Sequence, residues 1–93
     1  MSLHQNEMTW SEIADLQKSE EHSDRFKAEF YSLRKRLVHL DNMLYCWRNG
    51  ILDFEPSCSY GKLKDQFDAM LKYYAILLDR AKIESIELDA MYR

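Results

Sequence analysis

The chain has 93 residues and a net charge of −3, so it makes one small domain, residues 1–93, with limited apolar surface to bury alone. Apolar residues make up 46% and charged residues 31%, with only two glycines and one proline, a balance that disfavours disorder and points to an all-α fold. An acidic total also argues against coating long nucleic acid, which is driven by phosphate neutralisation.

Charge is unevenly spread. From Arg25 to Arg48 there are six Lys/Arg against two acids, a local +4 that leaves −7 on the remainder. The two cysteines, Cys46 and Cys58, are too few for a disulfide framework, which fits a reduced, cytoplasmic protein. No apolar run approaches the roughly 20 residues of a membrane span. The first residues lack a basic n-region followed by an apolar core, so no signal peptide is expected.

Thr9 followed by Glu12 fits a capping box, in which two side chains satisfy backbone donors at a helix start. A short N-terminal helix is therefore expected over residues 9–20, with Ile13 and Leu16 on its apolar side. The polar stretch from Ser19 to Asp24 breaks the pattern, and Ser23 or Asp24 could cap a new helix. The first long arm, residues 24–50, carries Phe26, Phe30, Leu33, Leu37, Leu40, Leu44, Trp47 and Ile51 at alternating four and three spacing. Gly50 supplies a left-handed stop, with Arg48 near the negative end of the helix dipole.

Residues 51–59 read as a connector, since Pro56 discourages helix and Ser57 or Ser59 can cap the next one. A second arm is expected over residues 60–90, its seam formed by Leu63, Phe67, Met70, Tyr74, Leu77 and Ala81. A connector of this length returns the chain antiparallel, giving a helical hairpin. The second arm also carries Leu71, Ile76, Leu78 and Ile83, an apolar arc too wide for one partner helix. Self-association into a helical oligomer is therefore expected.

His4, His22, His39, Cys46 and Cys58 form no recognised metal-ligand spacing, and no glycine-rich phosphate loop or nucleophile signature is present. No metal, no cofactor and no enzymatic activity are expected. Arg34-Lys35-Arg36 is either a solvated helix face or part of an anion site. Arg25 and Lys27, close to a helix start, could combine their charges with exposed N–H groups to hold a phosphate. Trp10 could provide a stacking platform for a base, or simply pack the short helix onto the long one. Gln66, Tyr73 and Arg80 share one face at heptad spacing. In a symmetric oligomer that row could line an axial cavity; alternatively, Arg80 pairs with Glu84 or Asp79.

The pattern Leu63-x2-Gln66-x2-Ala69-Met70-x2-Tyr73-x3-Leu77-x2-Arg80, preceded by Leu37-x2-Leu40-x3-Leu44, resembles the helical hairpin of phage anti-CBASS sponges, which anti-Thoeris sponges share. The likeness spans about Phe26 to Ile83. It implies a helical hexamer in the host cytoplasm that sequesters cyclic oligonucleotide second messengers without cleaving them. Cyclic dinucleotides would then lie between two subunits, with Trp10 as the platform and Arg25 or Lys27 as the phosphate cation. Cyclic trinucleotides would lie near a three-fold axis, falling to Tyr73 and Arg80. A rival reading is a structural adaptor or co-chaperone that docks a protein through its apolar faces. A DNA-binding regulator using Arg25 to Arg48 is disfavoured by the acidic remainder.

Overall fold

A computed structural model describes residues 8–88, and within them the chain is all-helical, with no strand. Three helices occur in order: α1 (Trp10–Gln17), α2 (His22–Arg48) and α3 (Tyr60–Ile83). His4 lies outside the described residues.

Helix α1 starts as its sequence demands. Thr9 Oγ1 accepts from the Glu12 N–H at 3.1 Å, while Glu12 Oε1 accepts from the Thr9 N–H at 2.8 Å, closing both halves of the capping box. Helix α2 begins earlier than its polar residues suggest. Its N-cap is Glu21, which makes no side-chain cap bond, so Ser23 and Asp24 are inside the helix rather than capping it. Asp24 instead accepts from Ser19 Oγ at 2.8 Å, and Ser19 Oγ itself accepts from the Glu21 N–H. This ties the α1–α2 turn together and keeps a carboxylate in the first turn, where the helix dipole favours it.

The two long helices end in the same way with different residues. After α2, Gly50 adopts φ +70°, its N–H reaches the Trp47 carbonyl, and the Ile51 N–H reaches the Cys46 carbonyl. After α3, Ser85 adopts φ 57°, with Ser85 N–H bonded to the Lys82 carbonyl and Ile86 N–H bonded to the Ala81 carbonyl. Both are Schellman closures, in which a left-handed residue lets its own N–H and the next one cap orphan carbonyls. The second one stops α3 at Ile83, short of the expected residue 90, and no helix resumes up to Leu88. Ser59 caps α3 at its start, accepting from the Lys62 N–H at 3.1 Å.

Helix α2 is central, with α1 and α3 each packed on it and no close approach of α1 to α3 among the described residues. Two sets of α2 residues are buried as a result. Phe26, Phe30, Leu33, Leu37, Leu40 and Leu44 form the expected seam, and Ala28, Tyr31 and Arg34 lie buried outside it. Phe30 stacks on Tyr74 of α3 with ring centroids 5.2 Å apart, and Tyr31 meets Phe30 edge-on. Ile13 of α1 joins the same core cluster with Leu77 and Ala81 of α3.

Contacts between α2 and α3 pair in reverse order. Trp47 and Arg48, at the end of α2, meet Tyr60 at the start of α3, whereas Phe30 and Phe26 meet Tyr74 and Arg80 towards its end. The seam loses its burial where the helix stops: Trp47 is half-buried and Ile51 is exposed. None of the described helices is long and apolar enough to cross a membrane.

Candidate functional site

Trp10 occupies the first turn of α1, and packing of that helix on α2 sets it above the middle of α2. About half of its surface is open to solvent, at 49% exposure. Lys35 Nζ lies 5.5 Å and Arg36 Cζ 5.3 Å from its ring centre. Both are within cation–π range, so the ring quadrupole favours keeping positive charge at this spot. Arg36 is further oriented by its own helix, with Nε donating to Ser32 Oγ at 3.4 Å.

The basic run therefore divides three ways. Arg34 is buried at 4% exposure with its guanidinium 5.1 Å from the Tyr31 ring, which overturns a wholly solvated reading of the run. Lys35 is half-buried and Arg36 exposed, both against Trp10. Sequence reasoning did not connect these two cations with Trp10, although the spacing of Ser32, Lys35, Arg36 and His39 places them on one side of a helix, away from the leucine seam.

Arg25 and Lys27 lie elsewhere. Arg25 is exposed, and its guanidinium donates to the Ser19 carbonyl at 2.8 Å, satisfying an acceptor of the α1–α2 turn. Lys27 is half-buried. Ten residues of helix separate Arg25 from Lys35, about 15 Å of rise, so a single subunit does not bring Trp10 and Arg25 together.

Arg80 and Tyr73 of α3 also occupy different environments. Arg80 Nε donates to Glu84 Oε2 at 3.0 Å, and its guanidinium sits 4.8 Å from the Phe26 ring. Of the two pairings expected for Arg80, the one with Glu84 forms. Glu84 also meets His22 Nε2 at 2.8 Å, so one carboxylate joins the start of α2 to the end of α3. The His22 and Arg80 hydrogen bonds hold the Glu84 carboxyl below its ordinary value of 4.5. Tyr73 projects outward at 40% exposure, on the same outer stripe as Ile76 at 55% and Ile83 at 81%. Gln66, the third member of the heptad row, makes a long contact to Met70 Sδ at 3.7 Å.

An open groove of about 300 Å³ lies beside α1, lined by Met8, Leu16, Glu12, Asp15 and Asp24. Its three carboxylates disfavour a phosphate, so the groove is a poor home for a nucleotide. Among the described residues, no three His, Cys, Asp or Glu side chains are grouped to hold a metal ion.

The family model described as Sequestin matches residues 20–83. This chain belongs to the Sequestin family. The matched region takes in α2, the connector and α3, while α1 and Trp10 precede it. Comparisons with curated proteins and with solved structures give no match.

Proposed function

We propose that this Sequestin family member is a non-enzymatic sponge that binds and sequesters cyclic di- or trinucleotide second messengers, blocking CBASS-type immunity in the cytoplasm of a phage-infected bacterium. The family's name denotes sequestration, which favours binding over catalysis. The observation that carries the ligand class is the half-exposed Trp10 ring with two cations against it, an arrangement suited to a base and its phosphate. A sponge needs preformed sites and slow release, and it needs neither a general base nor a metal.

In this reading α2 and α3 form an antiparallel hairpin that assembles into a hexamer. Tyr73, Ile76 and Ile83 support assembly, because their outward stripe leaves large apolar side chains in water in a single subunit. The cyclic dinucleotide site spans two subunits, with Trp10 from one and Arg25 or Lys27 from the next. The separation of these residues within one chain accords with that sharing. A cyclic trinucleotide site near the three-fold axis uses Tyr73 and Arg80, the latter after exchanging part of its Glu84 pairing for phosphate.

A second reading has its own support. Tyr45, Ile51 and Phe54 are exposed at the far end of the molecule, as a protein-docking adaptor or co-chaperone would require. Calorimetry against cyclic di-AMP, cyclic di-GMP, cyclic GMP–AMP and cyclic tri-AMP separates the two. The sponge binds at least one tightly and returns it uncleaved after denaturation. A well-folded protein that binds none of them is an adaptor instead, and cleaved ligand would make the protein an enzyme.

A further inference from the structure

We propose that Glu84 is an internal gate on Arg80: its carboxylate occupies the guanidinium in the resting protein, a ligand phosphate displaces it, and His22 keeps hold of it once displaced. The gate deepens the trinucleotide reading above and rests on it for the identity of the ligand, but any polyphosphate anion reaching Arg80 would meet the same carboxylate.

Four side chains make up the gate, two from each long helix. His22 and Phe26 lie one turn apart at the start of α2, with ring centroids 6.4 Å apart, while Arg80 is in the last turn of α3 and Glu84 is its C-cap. The carboxylate divides its oxygens between the helices: Oε1 accepts from His22 Nε2 at 2.8 Å, and Oε2 accepts from Arg80 Nε at 3.0 Å. Losing one bond therefore leaves the other intact. An ionised carboxylate only accepts, so the imidazole carries a proton on Nε2 in this contact.

Little has to move for the exchange. The Glu84 backbone is pinned, since its N–H donates to the Arg80 carbonyl at 2.8 Å and the chain beyond turns at Ser85 to pack Ile86 and Leu88 on the core cluster. Only the side chain need swing. The Arg80 guanidinium sits 4.8 Å from the ring of Phe26, which is buried and so a fixed support. That ring contact survives the exchange and keeps the planar fork of donors presented while its partner changes. An exposed carboxylate–arginine pair one turn apart is a weak interaction, whereas a phosphate can take two donors of the fork at once. His22 lowers the remaining cost, because the carboxylate released by Arg80 still has a donor.

Calorimetry at low salt against cyclic tri-AMP, with inorganic triphosphate as a second probe, tests the gate. Glu84→Gln should tighten cyclic tri-AMP binding roughly fivefold, a gain that losing a merely structural contact would not produce. His22→Ala should weaken binding about threefold in the parent, where the carboxylate then has Arg80 alone, and should have little effect in the Glu84→Gln background. Asp68→Asn removes the same charge from the exposed Lys64–Asp68 pair of α3 and should leave affinity within about twofold. Cyclic tri-AMP binding that is unchanged in Glu84→Gln, that rises equally in Asp68→Asn, or that responds to His22→Ala equally in both backgrounds overturns the gate and leaves the trinucleotide reading standing. If only inorganic triphosphate binds, more tightly in Glu84→Gln and not in Arg80→Gln, the gate is upheld and the trinucleotide reading falls. If neither probe binds any variant, both fail.

Discussion

The two ends of the α2–α3 pair are built very differently. Near α1, Phe30, Leu37, Leu77 and Ala81 are buried in one cluster that all three helices share. At the far end, Leu44 is buried, but Trp47 and Tyr60 meet edge-on with centroids 5.4 Å apart, and Tyr45, Ile51 and Phe54 face solvent. A third helix on α2 accounts for the difference, because two helices alone cannot enclose both sides of either. Stability therefore concentrates where α1 packs, and the candidate site at Trp10 sits on that firmer end.

The largest effect that can break this comparison comes from deleting aromatic bulk at each end. Phe30→Ala should cost about 3–5 kcal/mol in urea unfolding, through lost burial and the cavity left behind. Phe54→Ser should stay within about 0.5 kcal/mol, as expected for an exposed position. Equal losses at the two positions would mean that the far end is as well packed as the near one.

A smaller contrast lies in the two helix stops. Gly50 and Ser85 hold the same left-handed role, yet only the glycine adopts it without a Cβ penalty. Gly50→Ala should therefore destabilise by about 1 kcal/mol, and Ser85→Gly should stabilise by about 0.5–1 kcal/mol, both measured by thermal unfolding. Opposite signs are the essential result.

The smallest contrast is in pH dependence. Glu84 links the near ends of α2 and α3, and its folded-state carboxyl titrates below its ordinary value of 4.5. Its contribution is thus complete above the unfolded value and is lost as pH falls through the lower folded value. The difference in melting temperature between the parent and Glu84→Gln should shrink as pH falls below 4.5. At the far end, Arg48 donates to the Tyr60 hydroxyl at 3.1 Å, a contact with no carboxylate to protonate, so Tyr60→Phe should show no such trend.

Much of the helical order is legible in the residues themselves. Thr9 and Glu12 announce the start of α1, Gly50 the end of α2, and the seam from Phe26 to Leu44 identifies its buried side. Such signals are local, so one chain segment contains them entirely. Ser85 was not legible as a stop, because serine carries no marker for left-handed backbone. Ala28, Tyr31 and Arg34 were not legible as buried, because their burial depends on where α1 lies. Trp10 and the basic run each stood out in the sequence, but their pairing did not, for the same reason: Trp10 and the Lys35–Arg36 pair are some 25 positions apart and meet only through helix packing. Arg25, nearer in sequence, is drawn instead to the turn between the helices.

Native mass spectrometry of the purified protein mixed with cyclic di- and trinucleotides tests sequestration most directly, because it weighs assembly and ligand together. The expected spectrum is a hexamer carrying several intact cyclic nucleotides. A monomer, or an oligomer without bound nucleotide, would contradict the account.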